Sequence, residues 1–161
     1  MNGRLQDRVC VVTGAARGIG LAIAERFGRE GARVACVDVS ARRLEPTVAE
    51  LVSRSVDARA FAVDVGRRDE VHEMFHSIES EFAAPVAVLV NNAVWARFQP
   101  LDEIDRETVD RMFACGVEGL IWTTRCANRP PNPCSASSSR CSDSVNFHCA
   151  GWIKFAANGV W

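Results

Sequence analysis

A doubly wound α/β sheet is the fold predicted here, and three features of the sequence predict it. Short runs rich in apolar and β-branched residues recur at positions 8–13, 33–38, 58–63 and 86–90. Between them lie stretches whose apolar residues repeat with helical spacing. The first strand-to-helix junction, Gly14-Ala15-Ala16-Arg17-Gly18-Ile19-Gly20, carries three glycines. Strands alternating with helices bury both faces of a parallel sheet through right-handed crossovers.

Each element has its own signal. Arg8-Val-Cys-Val-Val-Thr13 reads as a buried strand, and Leu21-Ala-Ile-Ala-Glu-Arg-Phe27 has the periodicity of the next helix. Glycine between them permits a tight turn and lets backbone approach a ligand with no Cβ in the way. A helix starting near Gly18 directs unpaired N–H groups and its positive dipole end at that corner, which suits a pyrophosphate. An ordinary glycine-rich turn has the same letters, so the loop draws its meaning from context. The context is the second strand, which ends in Asp38, about 20 residues beyond the glycines, where a dinucleotide fold places the acid for the ribose hydroxyls.

The alternation continues. Residues 41–53 form a helix with Leu44, Val48, Leu51 and Val52 as its apolar stripe. Residues 58–63 are a strand closed by Asp64-Val65, and residues 67–82 a helix burying Val71, Met74, Phe75 and Ile78. Val86-Ala-Val-Leu-Val90 is the fourth strand, ending in Asn91-Asn92-Ala93. A last helix is predicted over 105–125, bearing Val109, Met112, Phe113, Val117, Leu120, Ile121 and Trp122.

With these motifs in order, residues 5–127 resemble the short-chain dehydrogenase/reductase family, whose fold is of the Rossmann type. Thr13 to Gly20 is similar to its TGxxxGxG cofactor loop, and Asp38 to the acid of its NAD-preferring members. Asp64-Val65 resembles the pair that touches adenine, and Asn91-Asn92-Ala93 the start of the NNAG motif. The resemblance implies an NAD-dependent oxidoreductase for an alcohol or ketone, with the polyol and sugar-alcohol dehydrogenases nearest in character. It implies cofactor contacts at Gly14, Arg17, Gly18, Ile19, Gly20, Asp38, Asp64, Val65, Asn91 and Ala93. NADP is the less favoured cofactor: Arg17, Arg42 and Arg43 suit a 2′-phosphate, but Asp38 occupies the ribose position. An intact family member is expected to be a homo-oligomer.

The departures are equally specific. The family's chemistry uses a Ser and a YxxxK pair, supported by an Asn in an NVxG segment. This chain has no tyrosine; its single lysine is Lys154, and Ala150 stands four residues before it. Gly116 takes the Asn position in Cys115-Gly116-Val117-Glu118-Gly119, Val94 replaces the last Gly of NNAG, and Ala87 stands where an Asp often precedes the fourth strand's apolar run. A phenol acidified by a neighbouring lysine is the general base of that mechanism, so no catalytic residue is assigned and no turnover is expected. Cys115 and His148 could titrate near neutrality, but a Cys on an apolar helix face more often serves packing.

Beyond Ala127 the composition changes. Pro130, Pro131 and Pro133 oppose regular helix or central strand, serines come next, and Cys126, Cys134, Cys141 and Cys149 fall in or beside this tail. Residues 1–127 are thus expected to be the NAD-binding portion, and residues 128–161 an irregular, disordered tail. A shifted reading frame is the favoured explanation of the change. A zinc module is disfavoured because the cysteines lack a CxxC pair, and an interaction tail is the third reading. Without a fifth strand the fourth becomes a bare sheet edge, so the chain is expected to aggregate. The alternative to the enzyme reading is a non-catalytic dinucleotide-binding remnant or an interaction protein. A methyl transferase on the same fold is disfavoured by the Gly14–Gly18 gap and by Asn91-Asn92-Ala93.

A net charge of −1 supplies no footprint for nucleic acid or an anionic membrane. No stretch approaches the ~18 apolar residues of a membrane span, and the first residues lack the apolar core of a signal peptide. Cys10 and Cys36 read as buried thiols of a reducing compartment, and cytoplasmic localisation is the expectation.

Overall fold

The computed structural model describes residues 3–129 in full, and residues 145–148 and 153–157 as backbone. Strands β1 (Val9–Thr13), β2 (Arg33–Asp38), β3 (Asp57–Ala62) and β4 (Val86–Val90) lie parallel in the order β3-β2-β1-β4. Helices α1 (Gly18–Arg29), α2 (Ala41–Ser53) and α3 (Arg68–Phe82) make the crossovers. The predicted Rossmann-type fold is the one observed.

The central strand β1 is buried at all five residues. Because side chains alternate along a strand, it feeds two cores. Cys10 and Val12 pack with Ala24, Val34, Leu44 and Leu51 on the α1/α2 face. Val9 and Val11 pack with Val37, Val71, Ile78 and Phe82 on the α3 face. Each fully buried large aliphatic or aromatic side chain contributes about 1.5–3 kcal/mol over its exposed state. Phe82 closes the second core, with the Arg33 and Arg59 guanidinium carbons 5.1 and 4.3 Å from its ring centre. Helix α3 stops there because Ala83 turns left-handed (φ 49°) and Pro85 comes before β4.

Two helices depart from their predicted form. In α2, Leu44, Val48 and Leu51 are buried as expected, but Val52 is 52% exposed, one residue past the stripe. The same helix continues through Pro46, which has no N–H for the Arg42 carbonyl. The next hydroxyl, Thr47 Oγ1, donates to Arg43 O (3.0 Å) or Ala16 O (3.1 Å), tying this turn to the glycine loop.

The predicted 105–125 helix is broken into α4 (Arg106–Phe113), a π-helical turn (Ala114–Glu118) and α5 (Gly119–Ala127). Asp105 starts it, its carboxylate accepting the Thr108 N–H at 2.7 Å. The π turn adds a residue to the helical cycle and rotates α5 relative to α4. The buried residues are therefore Thr108, Gly119 and Thr123, while Met112, Phe113, Val117 and Ile121 remain exposed.

The predicted irregular tail falls mostly outside the described residues. Two pieces of it are described: β5 (Val145–His148) and β6 (Ile153–Ala157) form an antiparallel pair, with β6 antiparallel to β4. The β4 edge, expected to be bare, is thus covered at Val88, Leu89 and Val90. Among the described residues no helix is long and apolar enough to cross a membrane.

Cys10 and Cys36 are fully buried on either side of the β1–β2 ladder. Burial pushes both thiols from 9.0 up to about 12, with Arg8 opposing the rise at Cys10. Between those values the unfolded chain has lost protons that the native chain keeps, so stability falls as pH rises. The expected slope is at most about 1.4 kcal/mol per pH unit per thiol. Urea midpoints measured from pH 8.5 to 10.5 should decline, and more steeply in the native sequence than in Cys10→Ala/Cys36→Ala; parallel declines would show that the two thiols carry no such linkage.

Candidate dinucleotide-binding site

The cofactor-contact residues singled out in the sequence lie at or just beyond the carboxyl ends of the four parallel strands. Crossovers leave β1 toward β2 and return from β3 to β4, so the chain reverses direction between β1 and β4. Open α/β sheets bind ligands at that reversal. Here Thr13 ends β1, Asp38 ends β2, Asp64-Val65 lie just past β3, and Asn91-Asn92-Ala93 just past β4.

The glycine loop is built around two close approaches. Gly14 turns with φ 68°, and a Cβ on it would meet Asn92 Nδ2 at 2.9 Å. A Cβ on Gly20 would run into Gly14 O, so only glycine lets the first turn of α1 close on the end of β1. Gly18 differs: its φ of 60° calls for glycine, yet a Cβ there would meet nothing within 4 Å. That position faces open space. Arg17 holds the N-cap without a side-chain cap, and Ile19 beside it is 74% exposed. The N–H groups of the first turn of α1 therefore have no capping side chain, at the positive end of its dipole.

Thr13 and Asn92 organise the corner. The buried Thr13 hydroxyl donates to Val90 O (3.2 Å) and accepts from the Asn92 and Ala93 N–H groups (2.9 and 3.0 Å). One donor and two lone pairs are a hydroxyl's whole capacity. The Asn92 amide donates to Thr13 O at 3.0 Å, with Gly14 O at 3.4 Å. Neither residue was among the predicted contacts; the Thr-Gly and Asn-Asn doublets at two strand ends were the available signal.

Asp38, its side chain 12% exposed, accepts the Ser40 N–H at 3.0 Å and lies 3.8 Å from the Arg43 guanidinium. Asp64 accepts the Gly66 N–H at 3.0 Å and so shapes its own turn, while its N–H reaches Glu70. Two predicted contacts point elsewhere with their side chains. Asn91 accepts from the Thr123 hydroxyl at 2.7 Å and donates to Thr124 Oγ1 at 3.2 Å, anchoring α5 to the end of β4. Val65 is buried under Gly119, whose missing Cβ would lie 3.0 Å from it.

In the π turn a Cβ on Gly116 would meet nothing within 4 Å. Its neighbour Cys115 is half-buried against the second core. Burial, then Asp64, raises the Cys115 thiol above its ordinary value, with Asp38 adding to the rise and the Trp95 N–H and Arg111 opposing it. The sequence allowed this thiol to titrate near neutrality; the shift runs the other way, and the thiol stays protonated there. His148 is described only as backbone.

Thr13→Val should leave Val90 O and two N–H groups without partners, at about 1–3 kcal/mol for each buried unsatisfied group. Urea unfolding should show a lower midpoint at unchanged m-value, with Thr13→Ser close to the native sequence. A Thr13→Val midpoint equal to that of Thr13→Ser would remove this hydroxyl from the account of the corner.

Comparison with known proteins agrees with this geometry. The short chain dehydrogenase family profile matches residues 8–130. The chain is 32% identical over 158 residues to short chain dehydrogenase/reductase dpchG of Colletotrichum higginsianum, covering 95% of this chain and 58% of that protein. It is 36% identical over 126 residues to the sorbitol dehydrogenase of Cereibacter sphaeroides, covering 78% and 48%. The crystal structure of a short chain dehydrogenase from Burkholderia cenocepacia in complex with NADP superposes with a TM-score of 0.72 at 32% identity, covering 78% of this chain and 51% of that one. The chain thus spans about half the length of the relatives it matches. A Rossmann sheet carrying this loop, with these relatives, belongs to the short-chain dehydrogenase/reductase family, with polyol dehydrogenases among its kin.

Proposed function

We propose that this chain holds a nicotinamide dinucleotide along the carboxyl edge of its sheet, with NAD favoured over NADP. The carrying observation is the corner at Gly18: an uncapped helix N-terminus, exposed, facing space that a Cβ would enter without contact. Backbone N–H groups and a dipole aimed at open space are the donor set a pyrophosphate requires. Gly14, Gly18, Ile19 and Gly20 would hold the pyrophosphate, with Arg17 beside it. Asp38 would accept from the ribose hydroxyls, and the loop at Asp64-Val65 would border the adenine. Asn91 and Ala93 would shape the wall nearer the nicotinamide, Asn91 through its hold on α5.

When bound, such a cofactor supplies the hydride acceptor for oxidation of an alcohol, here of polyol-like character. The residues of this chain position and shield it. Among the described residues no proton acceptor stands ready: the sequence has no tyrosine, Gly116 offers no side chain to hold a water, and the Cys115 thiol stays protonated. We therefore assign binding without turnover to residues 1–161.

NADP is the competing reading, favoured by Arg43 at 3.8 Å from Asp38 and by the NADP held in the Burkholderia relative. The carboxylate favours NAD, since a 2′-phosphate beside Asp38 brings two anions together. Self-association fits the exposed stripe of Phe113, Val117 and Ile121.

Binding titrations monitored by quenching of NADH and NADPH fluorescence test both choices. NADH should bind at least tenfold tighter than NADPH, about 1.4 kcal/mol, and Asp38→Ala should narrow or invert that ratio. Sorbitol with NAD should yield no absorbance at 340 nm above the enzyme-free control. Tighter binding of NADPH by the native sequence would overturn the NAD assignment, and turnover would overturn the absence of a base.

A further inference from the structure

Helix α3 carries two of the three histidines in the chain, four residues apart. Residues at that spacing lie on the same side of a helix, one turn above the other. The His72 and His76 rings have centroids 5.0 Å apart with planes tilted by 57°. His76 is exposed and His72 half-buried, on the side of α3 away from Val71, Met74, Phe75 and Ile78.

We propose that His72 and His76 together bind one divalent transition-metal ion of the copper, nickel or zinc class, in a solvent-open site separate from the dinucleotide edge. Geometry is the first ground. A ring nitrogen ligates such an ion at about 2.0–2.1 Å, and the ring centre lies roughly 1.2 Å behind it, so two imidazoles on one ion at a near-tetrahedral angle have centroids about 5.3 Å apart. The observed spacing is within a small rotamer adjustment of that value. Ligand chemistry is the second ground, because imidazole pairs select copper, nickel and zinc over magnesium or calcium.

Among the described residues no group of three or more His, Cys, Asp or Glu side chains is placed to hold an ion. Water fills the remaining positions, and affinity is accordingly modest. Charge around the pair is mixed. Arg129 and Arg68 disfavour a second positive charge at His72, and Asp69 favours it. Partial burial, Arg129, His76 and Arg68 together hold the His72 imidazole below the ordinary histidine value.

The test uses the full chain with accessible thiols alkylated and His148→Gln as the common background, so that α3 holds the only histidines. Copper(II) is titrated by calorimetry, and the bound ion is examined by electron paramagnetic resonance. Adding His76→Gln should weaken binding at least tenfold and reduce the nitrogen hyperfine pattern from two imidazoles to one. Adding His76→Gln together with Ser77→His, at an exposed neighbour, keeps the histidine number and breaks the four-residue spacing; it should stay weak. Equal affinity in all three proteins, or a one-imidazole spectrum in the background protein, would overturn the site. Unchanged circular dichroism across the set assigns the differences to ligation.

Discussion

The hydroxyl of Thr13 is the interaction on which the dinucleotide edge depends. Parallel strands that have paired along their length must part where the chain reverses direction, and a crevice opens there. Beyond Thr13 and Val90 the backbone groups of the two strands no longer face each other in register. One buried hydroxyl takes up three of those groups, Val90 O and the N–H groups of Asn92 and Ala93. With β4 held by that contact, the Asn92 amide reaches back to Thr13 O, and a Cβ on Gly14 or Gly20 would run into it. The Asn92 amide thus adds to the demand for glycine at both places, which Gly14 O sets first at Gly20 and a φ of 68° sets at Gly14 itself. Gly18 answers to its backbone conformation alone and is the one of the three with open space before it.

Legibility in the sequence tracked the range of the forces involved. The four strands and α1 to α3 were readable because each buries a face whose periodicity is local. Val71, Met74, Phe75 and Ile78 are all buried where the spacing placed them. The helix read over 41–53 runs on through Pro46, where the hydroxyl of the next residue bonds within the turn and holds it to the glycine loop. The break after α4 was not readable. The π turn at Ala114–Glu118 left no mark in the hydrophobic pattern, since it is set by how α5 meets Val65 and Asn91. At the site the backbone glycines were legible and the side-chain roles were not. Asn91 and Asn92 are adjacent and chemically identical, yet one anchors α5 and the other closes the loop, a division decided by which face of β4 each continues.

Helix α5 shows how that division shapes the surface. A helix normally turns its apolar stripe to the core. Here the sheet side of α5 is occupied by Gly119 and Thr123, because the end of β4 presents a polar amide that needs partners. Satisfying a buried amide outranks burying one more aliphatic group: an unpaired buried polar group costs about 1–3 kcal/mol, which matches or exceeds the gain from burying part of a side chain. On α5 Ile121 turns outward as a result, extending the exposed apolar surface of Phe113 on α4 and Val117 in the π turn.

The same polar ties explain why a binding half can be built apart from a chemical half. The contacts that shape the loop run among Thr13, Gly14, Gly20, Val90, Asn92 and Ala93, and those that seat α5 run between Asn91 and Thr123 or Thr124. All lie within residues 13–124, and none draws on residues beyond α5. Recognition of a pyrophosphate and a ribose needs backbone N–H groups and one carboxylate, all supplied by strand ends. Proton transfer needs an acidified side chain brought within hydrogen-bond reach of the substrate. The first demand falls on groups that this sheet presents at its strand ends, and the second on side chains brought up to the substrate. The two demands thus fall on different groups, and the polar contacts that shape the loop and seat α5 are confined to residues 13–124.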